Sequence, residues 1–211
     1  MTTENWAPAG TRTMFLEVQG LVPGGALSPA EALRYAAFRM EKRRSEWLAG
    51  RLAAKRLLAA GGEDPASLEI GMDRYGRPCC GDRLVSISHS NGWALAAWQP
   101  GSAFLGADLE KVEPRHPAWY RDYFSPAELP APDPSAATRL WALKEAMMKA
   151  LGLGLMADPL DIRAEGEIRL SGRALARYEE MGRPPFAAET RQFPEGFWAA
   201  VVAFNGGGGK R

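Results

Sequence analysis

The chain has 211 residues, 46% of them hydrophobic and 24% charged, with a formal net charge of +1. That balance excludes a disordered polymer and lacks the basic excess of a general nucleic-acid binder, so an anion site, if there is one, must be local. The two cysteines, adjacent at Cys79 and Cys80, cannot staple distant segments, and no apolar run approaches the roughly 20 residues of a bilayer span.

A reducing, cytoplasmic location is therefore expected, with neither membrane nor nucleic acid as partner. The opening MTTENWAPAG lacks the basic stretch and apolar core of a secretory leader. Ser28, Pro29, Ala30 and Glu31 form a capping box with proline at the first helical position, which predicts a helix to the Gly61-Gly62 stop, bent or broken near Arg43. Its cluster of basic residues from Arg39 to Arg56 predicts either a cationic stripe or a plainly solvated face. A short strand at 68–72, the turn YGRP at 75–78 and a strand at 84–88 follow; Asn91-Gly92 then predicts a tight hairpin into the strand WALAAW at 93–98. A further strand is expected at 103–110.

Ser125, Pro126, Ala127 and Glu128 repeat the four letters at Ser28, and after the break PAPDP a second long helix is expected over 135–151. Aligning the two helices on Trp47 and Trp141 sets Arg51 opposite Glu145 and Lys55 opposite Lys149. Either coincidence or internal duplication explains the repeat. The last third alternates the strand-like runs LDIRA, EIRLS, FAAETRQF and FWAAVVAF with one weak helix over 173–180, and the glycine-rich end is expected to fray. The sum is an α+β chain in two similar halves, 1–102 and 103–211.

Several residues stand out chemically. In GADLE, Asp108 and Glu110 lie two apart on the expected strand, so both carboxylates leave the same face. Such a pair is tolerated on a solvated strand or around a cation, and hard oxygen ligands of this kind suit Mg²⁺. Glu145, on the second helix, is the expected third ligand. His89, between Ser88 and Ser90 at the end of a strand, serves either as a phosphate donor or as an ordinary structural histidine; His116, in a polar loop, looks incidental. Arg77 projects from a tight turn with a guanidinium shaped for phosphate oxygens. Lys144 falls inside the apolar edge of its helix, when successive side chains are rotated by about 100°, and has no carboxylate four residues away. A bound phosphate is its expected partner. Lys149 follows Glu145 by four positions, the spacing of a solvated ion pair or of a second phosphate ligand. Together these groups make a kit for metal-assisted phosphoryl transfer.

The motifs YGRP at 75–78, ISHS at 87–90, GADLE at 106–110, FSPAE at 124–128 and WALKEAMMKALGLG at 141–154 resemble, in order and spacing, the larger monomeric class of 4′-phosphopantetheinyl transferases. The combination of G-x-D-x-E with a downstream W-x-x-K-E-A-x-x-K is specific. The resemblance implies two pseudo-symmetric α+β lobes, each a small antiparallel sheet packed on a long helix, with the active site between them. It implies a monomer that moves the phosphopantetheine arm of coenzyme A onto a serine of an apo acyl or peptidyl carrier protein, with release of adenosine 3′,5′-bisphosphate. Asp108, Glu110 and Glu145 would hold Mg²⁺, and Glu145 would also accept the serine proton. Lys144 and Lys149 would bind the pyrophosphate, Ser88 and His89 the α- and 3′-phosphates, and Arg43, Arg44 and Arg51 the 3′-phosphate end. Arg77 stands where the family commonly has lysine in a G-K-P turn, which keeps the charge and changes its reach. An acidic helical carrier is expected to dock near WYRDYFSPAEL, residues 119–129. Two rival readings are a Mg²⁺-dependent coenzyme A phosphohydrolase and a non-catalytic nucleotide- or carrier-binding module.

Overall fold

The computed structural model describes residues 6–205. The glycine-rich tail from 206 onward lies outside the described residues. The first half runs β1 (Arg12–Glu17), α1 (Pro29–Ala36), α2 (Glu41–Leu58), β2 (Gly71–Met72), β3 (Pro78–Cys80), β4 (Arg83–Ser90) and β5 (Trp93–Trp98). The second runs β6 (Leu105–Lys111), α3 (Pro117–Tyr123), α4 (Pro134–Leu151), β7 (Ile162–Glu165), β8 (Glu167–Leu170), α5 (Gly172–Glu180), β9 (Phe186–Arg191) and β10 (Phe197–Phe204). Strands β1, β5, β4, β3 and β2 form one antiparallel sheet in that spatial order. Strands β6, β10 and β9 form another, and β7 and β8 make a separate hairpin.

The Asn91-Gly92 turn forms as expected. Both residues take positive φ, 41° and 88°, which matches the twist of a two-residue hairpin and sets Ser90 opposite Trp93. The first long helix breaks earlier than Arg43: α1 ends at Ala36, and α2 begins at Glu41. Strand β1 and helix α3 were not expected. RTMFLE is a short run behind a Gly- and Pro-containing start, and its strand state depends on the ladder with β5.

Two sheets and two long helices stack in layers. Met14, Val85 and Ala96 of the first sheet pack on Ala53, Ala54 and Leu57 of α2. Its opposite face, through Phe15, Leu95 and Ala97, meets Leu105, Ala107, Leu109 and Val201 of the second sheet. The outer face of that second sheet, through Ala200 and Val202, packs on Ala146, Met147 and Ala150 of α4. Here α4 sits so close to β6 that a Cβ added at Gly106 would lie 1.8 Å from the Ala146 carbonyl oxygen. Only glycine permits that approach. Asp133 caps α4 by accepting from the Ser135 and Ala136 amides, and Gly152, at φ 65°, ends it.

Each half also contains the same polar lock. The ammonium of Lys55, fully buried, donates to the Ala26 and Pro65 carbonyls, both at 2.9 Å, and pairs with Glu31. Lys144, equally buried, donates to the Tyr123 and Pro159 carbonyls at 2.9 and 3.0 Å and to Glu128 Oε2 at 3.1 Å. Each glutamate is the last letter of an S-P-A-E box. Its second oxygen takes a distant amide, Ile70 for Glu31 and Ala164 for Glu128. Three ammonium protons thus meet three acceptors in both places. The lock corrects the expected alignment of the helices: the counterpart of Lys55 is Lys144, more than one turn before Lys149. Both locked lysines lie about two helical turns ahead of a left-handed glycine, Gly62 and Gly152.

Candidate active site

Because β6 places Leu105, Ala107 and Leu109 in the core between the sheets, Asp108 and Glu110 turn toward α4. Asp108 is 2% exposed. Its Oδ1 accepts from Ser88 Oγ at 2.7 Å and from Lys149 Nζ at 2.6 Å, and Lys149 also donates to the Ala107 carbonyl at 3.2 Å. Oδ2 is buried and has no hydrogen-bond partner. Glu110 is pushed up to about 7, first by burial and then by the Asp108 charge; Glu145 adds to the rise, and Arg115 and Lys149 oppose it. Burial and then Asp108 raise Glu145 as well, against Lys149.

Asp108, Glu110, Glu145 and Lys149 therefore share one neighbourhood, with three acids against a single close ammonium. The expected three-carboxylate cage is not closed: among the described residues no three acidic, histidine or cysteine side chains stand at metal-ligand spacing. The donor set nevertheless fits a hard divalent cation. All three ligands are oxygen, one buried oxygen lacks a donor, and the mutual repulsion that lifts two of the carboxyls is what a double positive charge relieves. Beside Lys149 opens a cavity of about 330 Å³, walled by Tyr75, Arg77, Pro78, Ile87 and Leu153.

Comparison with known proteins bears on this geometry. Residues 30–99 match the 4′-phosphopantetheinyl transferase N-terminal domain, and residues 104–200 match the 4′-phosphopantetheinyl transferase superfamily. The chain belongs to that superfamily. It is 37% identical over 110 residues to a 4′-phosphopantetheinyl transferase of Bacillus subtilis, covering 47% of this chain and 48% of that one. A phosphopantetheinyl transferase of Thraustochytrium is 29% identical over 182 residues, which is 70% of this chain and 63% of the relative. An L-aminoadipate-semialdehyde dehydrogenase-phosphopantetheinyl transferase of Schizosaccharomyces pombe is 29% identical over 123 residues, 46% of this chain and 48% of its own. The chain thus spans about half the length of two of these relatives and under two thirds of the third.

Within the site, several residues behave differently from expectation. Lys144 needs no phosphate. Glu128, sixteen positions upstream, supplies its counter-charge, and all three of its protons are spent inside the fold. Burial lowers its pKa, with Glu128 opposing. The signal is the repeated S-P-A-E, which the sequence reads as a helix start at Ser28 and as coincidence or duplication at Ser125; at Ser125 the same box bonds form, Ser125 N to Glu128 Oε2 at 3.0 Å and Glu128 N to Ser125 Oγ at 3.3 Å, without a helix following.

Arg77 is likewise engaged within the protein. Its guanidinium binds Asp73 and donates to the Ala103 carbonyl at 2.9 Å and the Ala150 carbonyl at 3.0 Å. It therefore ties the YGRP turn to the carbonyl end of α4, where a cation also suits the helix dipole. Gly152 makes this possible, since a Cβ there would lie 2.7 Å from Tyr75 Cβ.

Ser88 and His89 leave opposite faces of β4. Ser88 is buried against Asp108, whereas His89, half-exposed, lies 3.6 Å from Glu46 and has its pKa lowered mainly by burial. His89 borders a cavity of about 180 Å³ with Arg34, Glu46, Trp47, Arg51 and Met72. Arg51 is the notable wall of that cavity: it is 4% exposed, stacks 5.1 Å over Trp47, and has a buried Nη1 without a partner. Burial lowers its pKa. Arg43 is exposed beside a neighbouring cavity that His89 also borders, and Arg44 pairs with Glu41. Arg34 was missed by sequence reasoning; nothing in its local pattern distinguishes it from the other arginines.

Proposed function

We propose that the chain transfers the 4′-phosphopantetheine arm of coenzyme A to a serine hydroxyl of an apo acyl or peptidyl carrier protein, with Mg²⁺ bound and adenosine 3′,5′-bisphosphate released. The observation that carries this reading is Asp108 Oδ2, buried and partnerless beside two carboxyls lifted by charge crowding. Asp108, Glu110 and Glu145 hold Mg²⁺, which when bound neutralises charge on the coenzyme A pyrophosphate. Lys149, already directed at Asp108, binds the same pyrophosphate. Arg51 and His89 take the phosphate at the adenosine end, because their cavity offers a desolvated guanidinium with an unused donor.

The carrier serine oxygen forms a bond to phosphorus as the phosphorus–oxygen bond to the bisphosphate breaks, and the serine proton passes to Glu145. In this reading 1–102 carries the adenosine side and 103–211 the metal side. The carrier docks on Trp119 and Tyr120, which are only partly buried, while Phe124, 4% exposed, belongs to the core beneath them. The enzyme acts as a cytoplasmic monomer without membrane or nucleic-acid partner; among the described residues no helix is long and apolar enough to cross a membrane.

Incubating the protein with coenzyme A, Mg²⁺ and a panel of apo carriers, followed by intact mass of each carrier, tests the reading. A carrier that gains the arm supports it. Cleavage of coenzyme A without carrier labelling supports a phosphohydrolase instead, and no reaction with any carrier supports a binding module.

A further inference from the structure

The cationic surface of the first half contains an acid. Two adjoining cavities, of about 180 and 440 Å³, take their cations from Arg34, Lys42, Arg43 and Arg51; among the described residues that line them, Glu46 of α2 is the one carboxylate. Arg34, Glu46, Trp47 and His89 border both cavities. A carboxylate left there without a partner would repel the phosphate that Arg51 is suited to take. Its possible partners are few. Lys42, one turn earlier on α2, stands 4.0 Å away and is 75% exposed, a surface pair worth little. His89 Nδ1 reaches to 3.6 Å from across on β4, while the Glu46 side chain is only 13% exposed. A largely buried carboxylate thus faces an imidazole at nearly hydrogen-bond length.

A neutral imidazole donates from only one of its two nitrogens. With Nδ1 turned to Glu46, Nε2 is the nitrogen left for a ligand. For Nε2 to donate to a phosphate while Nδ1 donates to Glu46, both must carry protons, and the ring becomes an imidazolium. The charges that face it are Arg34 from α1, Lys42, Arg43, Glu46 and Arg51 from α2, Asp108 from β6 and Lys149 from α4. Burial works hardest against the charged ring, Glu46 is the strongest influence in its favour, Lys149 opposes it and Asp108 supports it. Asp108, however, already accepts from Lys149 and Ser88. Glu46 is the acid that remains to balance an imidazolium, and a phosphate at Nε2 would supply the second negative neighbour.

We infer that Glu46 and His89 work as a dyad: Glu46, a positioning residue, holds the ring by Nδ1 and balances its charge, so that Nε2–H is presented to the phosphate that Arg51 also takes. The inference rests on the reading of the adenosine end given above. It accounts for an acid in a cationic pocket, and it couples binding of that phosphate to uptake of a proton by His89.

The test compares coenzyme A with 3′-dephospho-coenzyme A, which differ only in that phosphate, by calorimetric titration of the full chain in EDTA. E46Q is expected to lower the preference for coenzyme A about 10-fold and to leave the affinity for the dephospho form unchanged. H89N lowers the preference likewise, and the double variant loses no more than either single one, because partners in a dyad are not additive. The chain has two histidines, so NMR reads His89 beside His116: E46Q should lower the titration midpoint of His89 and leave that of His116 in place. If E46Q unfolds, E46D keeps the charge on a shorter arm and is expected to show both changes in smaller degree. Three results overturn the inference: E46Q with an unaltered or raised preference, an unmoved His89 midpoint, or losses from E46Q and H89N that add in the double variant. If the unaltered protein binds both ligands equally, or R51Q prefers coenzyme A as strongly as the unaltered protein does, the reading of the adenosine end itself falls and takes this inference with it.

Discussion

The locks around Lys55 and Lys144 are nearly the same object built twice, yet the surfaces beside them have diverged. In the first half the lock stands behind α2, whose neighbouring side chains are Arg51, Trp47 and, across on β4, His89. In the second half it stands behind α4, whose next residue is Glu145 and whose following turn carries Lys149 toward Asp108. A buried lysine is thus no sign of a site. The first half has the lock without the acids, so the lock belongs to the scaffold, and in the proposed function the chemistry is laid over it asymmetrically: an anion-receiving surface on one side, a cation-receiving one on the other.

The largest effect should come from breaking that asymmetry. Asp108→Ala or Glu145→Gln is expected to cut carrier labelling on the order of 10³-fold, with far-UV circular dichroism unchanged; retained turnover would remove the acids from the mechanism. Breaking the shared part should act on folding instead. Glu31→Ala and Glu128→Ala each strand a fully buried ammonium and are expected to cost about 3–5 kcal/mol in denaturant titrations, to a similar degree in both halves. A large cost in one half only would mean that the two locks are not equivalent.

Glu128→Gln is expected to cost less than alanine, because its single amide oxygen still accepts from one of the Ser125 and Ala164 amides, which the glutamate serves with different oxygens. It also sharpens the comparison through pH. Burial works to raise the Glu128 carboxyl, but those amides and the Lys144 charge outweigh it and hold it below its ordinary value of 4.5. A depressed carboxyl contributes stability that is present above the unfolded value and lost as pH falls through the folded one. The denaturation midpoint of the unaltered protein should therefore fall in that acid window, and the glutamine variant should lose part of that dependence. Arg77→Gln is next, expected to cost about 1–3 kcal/mol through the unsatisfied Ala103 and Ala150 carbonyls, with Arg77→Lys milder. Arg44→Ala is smallest: its pair with Glu41 lies at the surface, so a change within about 0.5 kcal/mol is expected.

Much of this protein was legible from local pattern. The Asn91-Gly92 hairpin, the alternation that turns Asp108 and Glu110 the same way and the proline-initiated, glycine-terminated α4 are properties of neighbouring residues, settled by backbone sterics and side-chain period. Boundaries failed where pairing overrode propensity, as in β1, whose strand state comes from β5. The break between α1 and α2 was also misplaced, by a few residues.

The sequence by itself determined the element types around the site, which carboxylates share a face, and the motif set that marks the family. Only the tertiary structure decided the partners. Glu128 reaches Lys144 across a turn, Ser88 reaches Asp108 across a seam of two sheets, and Arg77 reaches Ala150 from the other half of the chain. Charge and hydrogen-bond capacity are written residue by residue, but which donor meets which acceptor is a matter of distance in space, fixed by how the layers pack.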